Sequence, residues 1–320
     1  MKNIASYYGI KPDKLQRHYK HKVSGYKDWA QLPHANEYLI YPENITEKLS
    51  IDEVSLSKGE LYTFVTNKNV GSKNKGSLVA IINGTEAKLI QQALDRLPLE
   101  KRKLVKEVTM DMARNMALAI HICFPNCKKV IDRFHAVKLV LDAMQHMRTT
   151  IRWSVIKKEN NAIKKAKKNK KKYCSKVLSN GDTLKELLAR SRYLLYIPKC
   201  DWTVNQTIRG NILFKKYPLL EQAYKLTLSF RNIYKKYSKD DAKTAFLEWK
   251  NAVVESKITE FNSAVNSLEY HLENILNYFD NRSTNANAES FNSKIKAFRA
   301  NLRGVSDVNF FLFRLEKLFA

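Results

Sequence analysis

The chain is 320 residues long, with 57 Lys plus Arg against 31 Asp plus Glu and a formal net charge of +26, a surplus that points to a polyanionic partner. Hydrophobic residues make up 44% and aromatics 11%, enough to bury a core, which excludes a wholly disordered basic tail. With only 9 Gly and 7 Pro, a long punctuated all-β architecture is excluded and helix should dominate, over about two domains.

There is no run of about 18 apolar residues, and no signal pattern follows Met1-Lys2-Asn3, so the expectation is a soluble, unexported chain with no membrane partner. Four Cys fit a reducing compartment. Met1 to Tyr26 predicts a short helix, a turn at Gly9 and a second, basic helix carrying Lys14, Arg17, Lys20 and Lys22. Ala5 four residues before Gly9 is the spacing of a helix-turn-helix. A DNA-contacting element and an ordinary helical hairpin both fit it.

Short apolar runs at 49–54, 61–66 and 77–82, separated by Lys58-Gly59 and the stretch from Gly71 to Gly76, predict three consecutive antiparallel strands. A helix follows over 86–97, then a strand over 104–110, a helix over 112–123, a strand over 130–132 and a long helix from about Phe134 through Met147. The order is a meander followed by strand-helix alternation. From Thr149 to about Phe279 the periodicity is helical, with Arg231–Tyr237 and Ala242–Trp249 as two helices and Trp153, Trp202 and Trp249 as core anchors. The last part, from Asn285, predicts two helices broken at Arg303-Gly304.

Charge is concentrated rather than spread. Between Arg152 and Lys176 there are eleven Lys or Arg and one acid, Glu159, or +10 of the total, and Lys164 to Lys172 holds seven Lys. A solvated surface stretch and a phosphate-contacting arm, built on Lys164, Lys165, Lys167 and Lys168, both fit this run.

Four acids occupy positions a catalytic site would favour. Asp52 lies inside an apolar strand, where an acid needs water, a partner or a metal. Asp111 ends a strand directly before a helix, where a helix cap is the plain alternative. Asp132 ends the next strand, and Glu289 sits early in the penultimate helix. At about 100° per residue, Asn292, Lys296, Arg299 and Arg303 share the side of Glu289, while Phe291, Ile295, Phe298 and Leu302 form the opposite, apolar face. A carboxylate beside a row of cations suits a metal that meets a phosphodiester, and an amphipathic surface helix with charges seven residues apart fits the same pattern. Cys123 and Cys127, with His121 nearby, lack the second pair that a zinc site needs.

The segments Ile51-Asp52-Glu53, Val108-Thr109-Met110-Asp111-Met112, Phe124-Pro125-Asn126, Asp132-Arg133-Phe134-His135 and the run from Asn287 through Glu289, Asn292 and Lys294 to Lys296 together resemble the DDE transposases of bacterial insertion sequences, specifically the ISL-three family. The resemblance covers about Leu49 to Ala320 and rests on motif order and spacing. It implies an α/β fold, an RNase H-like mixed sheet flanked by helices and interrupted by a large all-α insertion. The implied domains are a partial helix-turn-helix and linker over 1–45, the first part of the core over 46–148, the insertion over 149–279 and the C-terminal helices of the core over 280–320.

The resemblance maps the catalytic and metal-binding triad to Asp52, Asp111 and Glu289, with Asp132, His135 and Asn292 in supporting roles. It implies two Mg²⁺ ions, or Mn²⁺, roughly 4 Å apart, serving strand cleavage and then strand transfer. The implied partner is double-stranded DNA, at element ends and target, contacted by Lys294, Lys296, Arg299, Arg303 and the Lys run. A homodimer or higher oligomer is expected on DNA, in a bacterial cytoplasm near the nucleoid. Longer members carry a zinc-binding segment and a complete helix-turn-helix at the front, so a separately encoded N-terminal partner is a further expectation. The competing functions are a DNA-binding protein derived from a transposase without activity, and a structure-selective nuclease on the same core.

Overall fold

The computed structural model describes residues 2–56, 59–68, 76–283, 286–302 and 305–320, without the side chains of residues 2 and 286–289. The chain divides into two compact units, one formed by residues 1–132 and 282–320 and the other by residues 133–281.

The first unit is mixed α/β. It opens with α1 (Lys2–Tyr7) and α2 (Pro12–His18), joined through Gly9 at φ +63°, the left-handed turn that residue permits. Its strands are β1 (Tyr38–Ile40), β2 (Lys48–Ser55), β3 (Leu61–Asn67), β4 (Leu78–Asn83), β5 (Glu107–Met110) and β6 (Lys128–Ile131). They form one mixed sheet in the order β1-β4-β3-β2-β5-β6. The β1-β4, β4-β3 and β3-β2 pairs are antiparallel, and β2-β5 and β5-β6 are parallel. The predicted meander is present as β2, β3 and β4. The strand expected from Leu104 is shorter, because α4 (Leu99–Lys103) occupies the approach to it.

One sheet face takes α3 (Ala87–Leu94) and α5 (Arg114–Cys123), whose buried residues Ile90, Ala93 and Leu94, and Met116, Ala119, Ile120 and Cys123, recur at helical spacing. The other face takes α14 (Ala286–Asn301) and α15 (Val308–Phe319). There Phe291 and Ile295 join Val54, Phe64, Phe311 and Leu315 in one core cluster. The residues before β2 belong to the same core, with Tyr26, Trp29 and Leu39 buried in that cluster. Glu316 fastens them to α15, accepting from Trp29 Nε1 at 2.7 Å and from the Tyr41 hydroxyl at 3.0 Å.

The second unit, among the described residues, is helical apart from one isolated bridge between Val177 and Thr183. It comprises α6 (Arg133–Lys168), α7 (Leu184–Leu194), α8 (Val204–Lys216), α9 (Pro218–Ile233), α10 (Lys239–Ser256), α11 (Asn262–Tyr270), α12 (Leu272–Leu276) and α13 (Tyr278–Asn281). The 36-residue α6 runs well past Met147. Its first half buries Val140, Met144 and Met147, and the second half, rich in Lys and Ala, continues the helix with little burial. Arg231–Tyr237 is not one helix. Helix α9 stops at Ile233, and Ser238 caps α10 by accepting from the Asp241 amide at 3.0 Å. Trp202 and Trp249 are buried anchors, with Trp249 Nε1 donating to the Leu226 carbonyl at 2.9 Å. Trp153 is 64% exposed and is no core anchor, on a turn of α6 whose neighbour Arg152 has its Nε buried instead.

Candidate active site

Strand register brings the sequence-predicted acids of the sheet together. Ser50 on β2 pairs with Thr109 on β5, and Thr109 with Val130 on β6, all in parallel. Two residues further along are Asp52, within β2, and Asp111 and Asp132, the first residues past the ends of β5 and β6, so continuing the register puts the three aspartates on one rung. Because side chains alternate, all three belong to the same side of the sheet. Asp52 also sits opposite Phe64 of β3, whose ring lies 6.2 Å from that of Phe291 on α14. The rung therefore faces α14.

Helix α14 is tied directly to this rung, with Asn292 Nδ2 donating to Asp52 Oδ2 at 2.6 Å. The other Asp52 oxygen accepts from the Glu53 amide at 2.8 Å. Asp111 Oδ1 accepts from the Ala113 amide at 2.8 Å, so Asp111 makes the turn into α5, while Ala113 stands at the cap position itself. Both carboxylates are thus held by short local bonds. Asp132 is buried, and its amide donates to the Met110 carbonyl at 2.9 Å. Glu289 is in the first turn of α14, three residues before Asn292, and its side chain lies outside the described residues. Among the described residues, no group of three His, Cys, Asp or Glu is placed to hold a metal ion. His135, partly buried, is on the first turn of α6 in the second unit.

The acids feel one another. Burial, then the charges of Asp111 and Asp52, hold the Glu53 carboxyl above its ordinary value. Oxygen-only donors under mutual repulsion are what a hard divalent cation relieves, so Asp52 and Asp111 fit Mg²⁺ or Mn²⁺ by donor chemistry. Burial pushes Cys123 up to about 12 and Cys127 up to about 11, leaving both protonated at neutral pH.

Behind the rung lies a group that sequence reasoning missed. Lys68, just past β3, donates through Nζ to Thr109 Oγ1 at 2.6 Å, Ser283 Oγ at 2.8 Å and Glu107 Oε1 at 3.2 Å. The two charged side chains are only 8% and 7% exposed. Burial lowers the Lys68 pKa, and Glu107 and Asp132 act against that. Lys68 thereby joins β3, β5 and the residue where the chain re-enters the unit, six positions before Glu289. A signal was present, since Glu107 and Thr109 share the Asp111 side of a strand buried throughout, and a buried carboxylate requires a partner.

The expected DNA contacts divide. Lys294 and Lys296 are exposed on α14, whereas Arg299 is half-buried and donates from Nη1 to the Ser55 carbonyl at 3.1 Å. Arg303 lies outside the described residues. Lys164, Lys165, Lys167 and Lys168 are exposed at the end of α6, in the second unit.

Residues 49–315 match a family model described as a transposase, the ISL3 type of DDE transposase. No curated protein matches the chain. The matched segment is a DDE-type catalytic domain acting in DNA transposition, and it spans well over half of the sequence. The chain belongs to the ISL3 family of transposases. No helix among the described residues is long and apolar enough to cross a membrane.

Proposed function

We propose that this transposase cuts DNA at the ends of an insertion sequence and joins the freed 3′ ends to target DNA, on an RNase H-like core in which Asp52, Asp111 and Glu289 are the catalytic acids. The observation that carries the reading is the common rung of Asp52 and Asp111 with α14 bonded onto Asp52 through Asn292. Asp52 on β2 and Asp111 just past the neighbouring parallel strand β5 would share a cation, with Glu289 of α14 as the third acid. When bound, a pair of Mg²⁺ ions, or Mn²⁺ in their place, supplies Lewis acidity at the scissile phosphate and lowers the pKa of a water nucleophile.

The protein's own groups then do the positioning. The Glu53 and Ala113 amides and Asn292 fix the two aspartates in orientation, and an orientation fixed before substrate arrives costs nothing at the moment of reaction. Asp132 and His135 support the site, and Lys294 and Lys296 track the DNA backbone, as do Arg303 and the Lys164–Lys168 run. Arg299 also serves the fold through Ser55. The second unit is the insertion between the Asp111 and Glu289 parts of the core. Joining two element ends requires them to be held together, which a dimer or higher oligomer on DNA accomplishes.

The test supplies a pre-cleaved element end, target plasmid and Mg²⁺. The proposal expects joined product from the wild type and none from Asp52→Ala, Asp111→Ala or Glu289→Ala. Cutting without joining would instead indicate a structure-selective nuclease, and DNA binding with neither reaction a transposase-derived binding protein.

A further inference from the structure

The second unit holds a cluster of like charges that the reading above does not use. On α6, Arg148 and Arg152 stand one helical turn apart, and Arg192 on α7 faces the same cavity of about 550 Å³, which Asp142, His146 and Thr149 also line. Arg148 is 5% exposed and locked in place. Its Nη1 donates to the Leu188 carbonyl and its Nε to Gln145 Oε1, both at 2.6 Å, and Gln145 Nε2 donates in turn to the Arg192 carbonyl at 3.0 Å.

Two features call for an anion. Arg152 Nε is buried and has no hydrogen-bond partner, a state that costs free energy unless a ligand completes it. The lining is also short of negative charge, with three arginines against one acid, Asp142, which is itself paired with Lys138 at 2.9 Å. Burial lowers the Arg148 pKa, and the charges of Arg152 and Arg192 lower it further. Three guanidiniums converging with so little counter-charge repel one another, and an acceptor with several oxygens would engage their forked donors together.

We propose that this cavity is a phosphate site of the second unit and receives one backbone phosphodiester of bound DNA, with Arg152 and Arg192 as the contacting residues and Arg148 as the fixed charge behind them. The inference rests on the chain's being a DNA-acting transposase. It assigns part of the grip to a shaped pocket, distinct from the exposed Lys164–Lys168 run. A phosphate contact there positions DNA and carries no sequence information.

The experiment uses the full chain and a fluorescent random-sequence duplex of about 30 base pairs, with anisotropy read across a salt series. Arg148 is left intact because it bonds the backbone; the variant is Arg152→Gln with Arg192→Gln, checked for an unchanged circular dichroism spectrum. Each phosphate contact contributes about 0.9 to the slope of log affinity against log salt. The double variant should therefore lose about one unit of slope and bind about tenfold more weakly at 0.1 M salt.

Slope and affinity equal to those of the wild type would overturn the proposal. A second arm measures thermal stabilisation by inorganic phosphate against chloride at matched ionic strength. If phosphate stabilises the wild type and not the variant while DNA binding is unchanged, the cavity is a small-anion site and the DNA assignment is wrong. A wild-type chain with no affinity for the duplex would count against the proposed cutting and joining of DNA, a different result from a defect confined to the variant.

Discussion

The buried contact of Lys68 makes the most demanding prediction about the site's support. Lys68→Met keeps the length of the side chain and removes the ammonium. It removes the 3.2 Å contact of Lys68 with Glu107, and deprives Thr109 Oγ1 and Ser283 Oγ of a donor. Both members of the pair are more than 90% buried, and breaking a buried pair by removing one partner costs about 3–5 kcal/mol. At about 1.4 kcal/mol per factor of ten, a loss near 4 kcal/mol lowers the protection of β2 and β5 amides about a thousandfold in native-state hydrogen exchange. That assay reads the first unit separately from the second. Replacing both partners, Lys68→Met with Glu107→Met, should recover at least half of the loss, because an apolar pair has no charge to desolvate. A single variant whose β5 protection falls less than about fivefold, or a double variant as damaged as the sum of the singles, would refute this role for Lys68.

Three further outcomes are expected. Glu53 has a folded pKa above its ordinary value of 4.5, so between that value and the raised one the folded chain holds the extra proton, and stability falls as pH rises through this window. Glu53→Gln should accordingly stabilise the metal-free protein at pH 7, by less than about 1 kcal/mol after solvent screening, with the gap closing below pH 4.5. Thermal melts at the two pH values check it, and a destabilised variant at pH 7 would count against it. Asn292→Leu removes the 2.6 Å bond to Asp52 and should slow strand joining about 10- to 100-fold, as loss of a group orienting a metal ligand does. DNA affinity, measured in parallel, should stay within about twofold. In the second unit, Gly210→Ala would drive a Cβ into the ring of the buried Trp202. A loss of about 1–3 kcal/mol and a changed tryptophan emission should follow, and an unperturbed spectrum would show that the ring has room to move.

Much of the first unit was legible in the sequence because its signals are local. Short apolar runs and turn residues marked β2, β3 and β4, and the 100° spacing separated the buried Phe291 and Ile295 from Asn292 and Lys296. The same arithmetic put Leu302 on the apolar face, but it is 36% exposed at the frayed end of α14. Strand β1 went unnoticed because three residues are too short for a periodic pattern, and it exists only through its pairing with β4. The length of α6 was hidden because its second half has no apolar stripe, and the helix ends only within the Lys run, at Lys168. Trp153 was misassigned because a large apolar residue marks a core only where another helix covers it.

Within the site, Asp52 stood out as a charge inside an apolar strand and Asp111 and Asp132 as charges at strand ends, whereas Lys68 did not. It is separated by 39 residues from Glu107 and by 215 from Ser283, and only the folded register brings them together. The arginine cavity is of the same kind, since the turn spacing of Arg148 and Arg152 is visible in sequence but the approach of Arg192 is not.

Whether Asp52, Asp111 and Glu289 form one metal site can be read by iron-directed cleavage of the polypeptide. Fe²⁺ takes the place of Mg²⁺ in the full chain bound to element-end DNA, and hydroxyl radicals generated at the ion cut the nearest backbone. The account predicts cuts clustered around residues 52, 111 and 289, reduced together by Asp52→Ala. Cuts near 52 and 111 with none near 289, or cuts concentrated at Cys123 and Cys127, would contradict it.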